Sequence, residues 1–185
     1  MNETVSSNVP PVKSGYRKIA VIASGIFLSV VLSVFAGWYL ACPCETVPGA
    51  VLWGELVEEP VTDWTFANES ELCQIQVGGP IITQALNLNC MATDEGELYL
   101  SCTQCAPKRW SKVVAENPDG RIRVNGLVYP VRISQVTEPL EKDRSWNARL
   151  QKLVNSTVLG GGTPIGTPRP SDDQWWTFRV VSANH

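Results

Sequence analysis

The sequence predicts a mainly β domain with two helices, carried behind one transmembrane helix. Three observations lead there. Residues Ile19 to Ala41 form one uncharged, mostly apolar run. Short alternating segments follow, two of them joined by Asn125-Gly126, a strong two-residue hairpin signal. Two further segments, opening at Pro107 and near Pro139, carry apolar residues at helical spacing.

At about 1.5 Å per residue the apolar run reaches roughly 34 Å as a helix, against a bilayer core of about 30 Å. Lys13, Arg17 and Lys18 precede it, and the first charges after it are Glu45, Glu55, Glu58, Glu59 and Asp63. Basic flanks stay on the cytoplasmic side during insertion. The expected layout is a cytoplasmic basic tail (1–18), a membrane span (19–41), a connector (42–49) and an extracytoplasmic domain (50–185) at the inner or plasma membrane. Trp38 and Tyr39 stand at the outer end of the span, where amphipathic rings favour the headgroup region. A cleaved leader has a shorter apolar core of about 7–15 residues. The alternative is lipidation, since Tyr39-Leu40-Ala41-Cys42 faintly resembles a bacterial lipoprotein cleavage site, with Cys42 as the lipidated residue.

The chain carries 15 Lys+Arg and 18 Asp+Glu. Setting aside the tail's Lys13, Arg17, Lys18 and Glu3 leaves the exported part at about −5, which argues against a nucleic-acid partner, because phosphate binding needs a basic surface. The one histidine is His185. Ser-His-Asp and Cys-His mechanisms need a positioned interior imidazole, so an enzyme built on this domain would take its reactivity from a cofactor.

Along the domain, Val51 to Val57 reads as a strand, followed by a short element around Asp63 to Phe66. In Glu71 to Val77, Cys73, Ile75 and Val77 alternate with Gln74 and Gln76. Gly78-Gly79-Pro80 marks a turn, and Ile82 to Met91 pairs with Glu97 to Ser101. Pro107 to Asn117 reads as a helix with Trp110, Val113 and Val114 on one face, ended by Pro118-Asp119-Gly120. Arg121 to Val124 and Leu127 to Ile133 form the hairpin, and Pro130 puts the second strand at an edge or a bulge. A second helix starts after Thr137, a good N-cap residue, with an apolar stripe of Trp146, Leu150, Leu153 and Val154 that packs on the sheet. Thr157 to Asp173 is a Gly- and Pro-rich loop. Gln174 to Val181 is a last strand that pairs with an early one and closes the sheet.

This order of elements resembles the split β-barrel of the pyridoxamine-phosphate-oxidase and deazaflavin-dependent nitroreductase families. The residues that carry the resemblance are Pro107 to Pro118 (PKRWSKVVAENP), Arg121-Ile122-Arg123-Val124, Tyr129-Pro130-Val131-Arg132-Ile133 and Val136-Thr137-Glu138-Pro139, within roughly Glu71 to Leu153. It implies an FMN-binding-like fold and an FMN or deazaflavin cofactor, seated between barrel and helix or across a homodimer. It also implies that basic residues near the first helix hold the phosphate. Lys108, Arg109, Ser111, Lys112 and Arg123 are the candidates, and Lys108 and Lys112 share a helical face. Two departures stand out: the Gly-rich strand pattern common before this helix is not evident, and Cys102-Thr103-Gln104-Cys105 occupies its place.

Six cysteines in an exported chain sit where disulfides form, but spacing does not give their pairing. Cys102 and Cys105 precede a helix N-terminus and Lys108 and Arg109, which lower a thiol pKa. They are redox candidates, against a structural bridge or buried thiols. No metal is expected, because a site on Cys73, Cys90, Cys102 and Cys105 lacks paired C-x-x-C knuckles. Trp64, Trp175 and Trp176 are either core or an exposed aromatic surface. The functional expectation is a membrane-tethered flavin- or deazaflavin-dependent reductase acting on a lipid-soluble molecule. The alternative is a non-catalytic module of the same fold that binds a ligand or protein in the cell envelope.

Overall fold

The computed structural model describes residues 13–40, 49–78, 82–155 and 165–183. The tail before residue 13, Cys42 and Cys44 with most of the connector, Gly79-Pro80, much of the Gly-rich loop and His185 lie outside them. The chain divides into two units, residues 1–38 and 39–185. The first is the greater part of helix α1 (Lys13–Leu40). Its stretch Lys18–Leu40 is long and apolar enough to cross a membrane, and none of that stretch is buried.

The second unit is a barrel. Its elements are β1 (Glu55–Leu56), the 3₁₀ turn η1 (Thr65–Glu69), β2 (Cys73–Gly78), β3 (Thr83–Ala92), β4 (Leu98–Thr103), α2 (Arg109–Glu116), β5 (Asp119–Val124), β6 (Leu127–Gln135), α3 (Pro139–Asn155) and β7 (Trp175–Ser182). The strands run in the order β6-β5-β2-β3-β4-β7, and β7 returns to pair with β6, with β1 as a short seventh strand parallel to β6. Closure leaves no free edge among those six. This is the split-barrel class that the resemblance implies.

Period-two alternation builds the wall. Ile75, Val77, Leu86, Leu88, Leu98, Leu100, Ile122, Val124, Val131, Ile133, Phe178 and Val180 all point inward into one buried cluster. Each mouth is stoppered. Trp110 and Val114 of α2 enter from the end at which β2 finishes, while Trp64 and Ala67 of the η1 region enter from the other. Trp110 lies 4.8 Å from Phe178, and Trp64 stands edge-on 5.2 Å from Tyr129. Helix α3 lies on the outer face, where Trp146 and Leu150 pack on Met91, Tyr99 and Trp175.

Several expectations need correction. Only Glu55–Leu56 of the stretch 51–57 is strand. The residues before it form a strap over the outer wall: Gly49 bridges Ala85, Leu52 packs on Ala85 and Val128, and the Leu52 N–H donates to Gln76 Oε1 at 2.8 Å. The first helix ends where expected, at Glu116 with Asn117 as its C-cap, but β5 begins at Asp119 and not at Arg121. The partner that closes the sheet is β6, not an early strand. Val154 is half exposed, and the buried face of α3 turns through Trp146, Ala148, Leu150 and Lys152 instead. Trp64 and Trp175 are core, and Trp176 packs partly buried against it, so they form no exposed aromatic surface.

Pro130 also sits differently. β6 is bonded along both sides, to β5 on one and to β1 and then β7 on the other. The Pro130 carbonyl accepts from the Ala183 N–H at 3.0 Å, so its missing donor faces the β7 side. It falls between Val128, the last partner of β1, and Val131, the last partner of β7. A residue without an N–H therefore occupies the step at which β6 changes neighbour, which is where a lost ladder bond costs least.

Four cysteines pair as Cys73–Cys90, joining β2 to β3 inside the barrel, and Cys102–Cys105, across the corner from β4 into α2. The sequence separations are 17 and 3. On the chain-entropy account the first contributes about 3 kcal/mol and the second roughly half of that. Urea unfolding of the full chain in mild detergent checks this. The Cys73→Ala/Cys90→Ala variant should lose about twice the free energy lost by Cys102→Ala/Cys105→Ala.

Candidate functional site

Helix α2 is positioned by its own core residues. Trp110 and Val114 are 2% and 3% exposed, which turns Arg109 and Lys112 to solvent. Lys108 is the N-cap residue, extended at φ −74° and ψ 133°, and no side chain caps the helix. Lys108, Arg109 and Lys112 are exposed, and no carboxylate among the described residues lies within ion-pair distance of them. Open first-turn amides beside unpaired cations make a surface receptive to an anion.

The other two residues of the expected set are differently engaged. Ser111 is buried, and its hydroxyl lies 2.9 Å from the Cys105 carbonyl and 2.8 Å from the Lys108 carbonyl. Its proton therefore stays in the corner. Arg123 points outward from β5, donates to the Trp53 carbonyl at 2.8 Å and to Gln74 Oε1, and so fastens the strap to the wall. No contact joins it to Lys108, Arg109 or Lys112 among the described residues.

The redox candidates close that same corner. Cys102 and Cys105 are bonded and are 4% and 0% exposed. Between them Gln104 is left-handed, at φ 50°, and its N–H donates to the Gln174 carbonyl at 2.9 Å. The Lys108 N–H donates to the Cys105 carbonyl at 2.9 Å. The bridge holds a turn that only a left-handed residue completes. With all four of Cys73, Cys90, Cys102 and Cys105 in disulfides, none is a free thiolate ligand, and no cluster of metal-ligating side chains occurs among the described residues.

Two polar assemblies went unseen in the sequence. On the outer wall Glu97 pairs with Arg144 at 2.8 Å and with Arg179 at 2.9 Å, and Glu141 pairs with Arg179 at 3.5 Å. The Tyr99 hydroxyl lies 3.1 Å from Glu97 and 3.2 Å from Glu141. Burial pushes the Glu97 carboxyl up, but hydrogen bonds from Arg144 and Tyr99 and the Arg179 charge outweigh it and hold the group below its ordinary value. Burial, then the Glu141 and Glu97 charges, pushes the Tyr99 phenol far up, which keeps it a neutral donor. The cluster ties α3 to β4 and β7 and leaves no group free for proton transfer.

The second assembly surrounds Lys152 in the last turn of α3. Its ammonium is buried and donates to the Cys90 carbonyl at 2.6 Å and the Ala67 carbonyl at 3.2 Å, with Cys90 Sγ at 3.7 Å. Burial and the neighbouring Arg149 charge lower it to about 8, with Glu71 pulling the other way. At neutral pH it remains an ammonium, as its two carbonyl partners require.

Apolar side chains from all six barrel strands pack into one cluster in the barrel interior. Among the described residues an open cleft of about 540 Å³ lies over the β5–β6–β7 wall, against Leu56, Asp119, Arg121, Pro130, Arg132 and Val181. It opens at the step where β6 changes neighbour. The α2 cations do not line it.

No protein-family profile matches the sequence, and no curated protein matches it. Solved structures do show similarity. A putative pyridoxamine 5'-phosphate oxidase from Listeria innocua overlaps 63% of this chain and 87% of its own at 14% identity, with a TM-score of 0.41. A NimC/NimA family protein from Clostridium acetobutylicum overlaps 64% and 84% at 13% identity, TM-score 0.43. An FAD-binding protein from Mesorhizobium loti overlaps 62% and 81% at 15% identity, TM-score 0.41. With these three scores below one half, the fold is defined here by the barrel's own strand pairing.

Proposed function

We propose that this chain is a single-pass envelope protein whose exported barrel is a ligand-binding module. The basic tail (1–18) lies in the cytoplasm, 19–41 crosses the inner or plasma membrane, 42–49 connects, and 50–185 faces outward. The observation that carries the binding reading is the open cleft of about 540 Å³ over the β5–β6–β7 wall, on a barrel whose own interior holds packed apolar side chains. The interior is packed from both mouths, and Cys73, Cys90, Cys102 and Cys105 are buried in disulfides. Two disulfides in one domain also agree with an oxidising compartment. Membrane fractionation tests the anchor. After an alkaline carbonate wash the full chain stays in the pellet at its full length, whereas release into the supernatant contradicts the reading. A mature chain beginning at a lipidated Cys42 replaces the span with a lipid anchor.

A second reading, a flavin- or deazaflavin-dependent reductase, is favoured by one observation: the uncapped N-terminus of α2 beside unpaired Lys108, Arg109 and Lys112. These three fit a cofactor phosphate, whereas Ser111 and Arg123 are held by other partners. A bound isoalloxazine-type ring would supply hydride or electron transfer, with the protein providing position. Titration of the full chain in phosphatidylcholine nanodiscs with FMN and with a deazaflavin tests this. On this reading Lys108→Ala weakens binding by about tenfold or more, the loss of one charge-assisted contact. Binding of neither molecule removes the reductase and leaves the module. A homodimer would show as twice the chain mass in the same particles.

A further inference from the structure

The cleft over β5, β6 and β7 sets apolar side chains beside two guanidinium groups. Its floor and sides include Leu56, Pro130 and Val181, and Leu56 and Val181 stand 43% and 42% exposed. These apolar side chains lie on the outward face of the barrel, opposite the core. Two guanidinium groups stand over them. Arg121 points outward from β5 and has no carboxylate within ion-pair distance among the described residues. Arg132 reaches Asp119 only at 3.6 Å, with the two side chains 60% and 68% exposed, a pair worth little in water. One carboxylate thus faces two cations across an apolar floor.

The backbone explains why the cleft is there. β6 gives its outer edge to β1 as far as Val128 and to β7 from Val131 onward. Pro130 lies between them and offers no N–H, so the chain that continues β7 meets it through one bond only, from the Ala183 N–H to the Pro130 carbonyl at 3.0 Å, and the ladder stops there. The gap is covered neither by the strap, which bridges Ala85 and packs on Val128, nor by α3, which packs on β3, β4 and β7 residues.

We propose that this cleft binds a single-chain anionic amphiphile: one acyl chain on Leu56, Pro130 and Val181, and its acidic head between Arg121 and Arg132. The proposal rests on the binding-module reading and names the class of ligand for it. About 540 Å³ lies in the range of sites that enclose one drug-sized molecule, which suits one chain and excludes a whole two-chain phospholipid. A carboxylate or phosphate head accepts from a guanidinium by charge-assisted, often bidentate, hydrogen bonds, and a neutral alcohol head does not. A chain that begins with a membrane-length apolar helix keeps the domain beside a source of such molecules.

The test uses the full chain in phosphatidylcholine nanodiscs, with hexadecanoic acid carrying a photoreactive diazirine as probe and the matching diazirine alcohol as control. After irradiation, peptide mass spectrometry should place acid-derived adducts on the peptides holding Leu56, Pro130 to Arg132 and Val181. The alcohol should label them at least tenfold less. Hexadecyl phosphate should compete, whereas inorganic phosphate at the same concentration should not, which separates an amphiphile from a free anion. Arg121→Gln/Arg132→Gln should cut labelling tenfold, and its unchanged melting curve shows that the barrel is intact. Equal labelling by acid and alcohol, or adducts on α1 with none in the cleft, overturns the proposal. Labelling of the cleft is independent of which side of the membrane it faces. A failed carbonate wash with correct labelling therefore refutes the anchor alone, and failed labelling with a retained anchor refutes the ligand alone.

Discussion

Trp110→Ala is expected to lower the stability of the barrel by about 4 kcal/mol, or roughly 10 °C in Tm for a domain of this size. Trp110 is the largest side chain that α2 drives into the barrel mouth, 2% exposed and packed on Phe178. Alanine leaves a cavity that neighbouring strands, bonded on both sides, cannot collapse to fill. Trp110→Phe separates this packing role from any polar one. The indole N–H of Trp110 is buried with no acceptor among the described residues, and phenylalanine removes that orphan donor while keeping a ring beside Phe178. The phenylalanine variant should therefore lose less than half of what the alanine variant loses. Equal losses, read by thermal unfolding of the full chain, would mean that the N–H has a partner essential to the fold.

Lys152 carries the second large effect. Lys152→Ala takes the ammonium from the Cys90 carbonyl and leaves the Ala67 carbonyl with the Ser70 N–H at 3.3 Å, at about 1–3 kcal/mol for a buried group that loses its partner. With the packing of the aliphatic stem lost as well, a total of about 3 kcal/mol is expected. The pH dependence distinguishes a buried ammonium from a surface lysine. The folded value is about 8 and the unfolded one about 10.4. Between these the unfolded chain binds more protons, so this group makes stability rise with pH from about 8 to about 10.4. Below 8 its penalty is present in full. The Lys152→Met variant lacks the group, and the gap in Tm between wild type and variant should move in favour of wild type across that window. A gap that does not change with pH would show that the ammonium is solvated.

Much of the wall was legible because period-two patterning survives in the sequence. The alternation of Cys73, Ile75 and Val77 marks β2, and Asn125-Gly126 makes a hairpin because both residues take positive φ, 50° and 85°. The stretch 51–57 misled for a physical reason. Its apolar residues serve packing as a strap, with Leu52 on Ala85 and Val128, and apolar content does not say whether the backbone bonds to a neighbour. Closure through β6 depends on a pairing between residues about 50 apart in sequence, which no local pattern encodes. Pro130 was the one local sign of it. Its lack of an N–H was readable, but the step between β1 and β7 that tolerates it was not. Val154 and Lys152 exchanged roles, because an apolar stripe assigns lysine to solvent, whereas this ammonium finds two carbonyls beneath the helix.

For the candidate site, residue type placed Lys108, Arg109 and Lys112 at a basic helix start, and the structure adds that no side chain caps it. It could not show that the Ser111 proton is held by the corner or that Arg123 belongs to the strap. The cleft was invisible for a similar reason. Arg121, Arg132 and Val181 come from three strands, and only the closed barrel sets them side by side.

The proposed reading of an exported, disulfide-bonded barrel depends on orientation across the membrane. The most direct measurement is a pair of C-terminal fusions expressed in a bacterial host, one to alkaline phosphatase, which is active only after export, and one to a fluorescent protein that matures only in the cytoplasm. The account predicts an active phosphatase and a dark fluorescent fusion. A bright fluorescent fusion with inactive phosphatase would place residues 50–185 in the cytoplasm and contradict it.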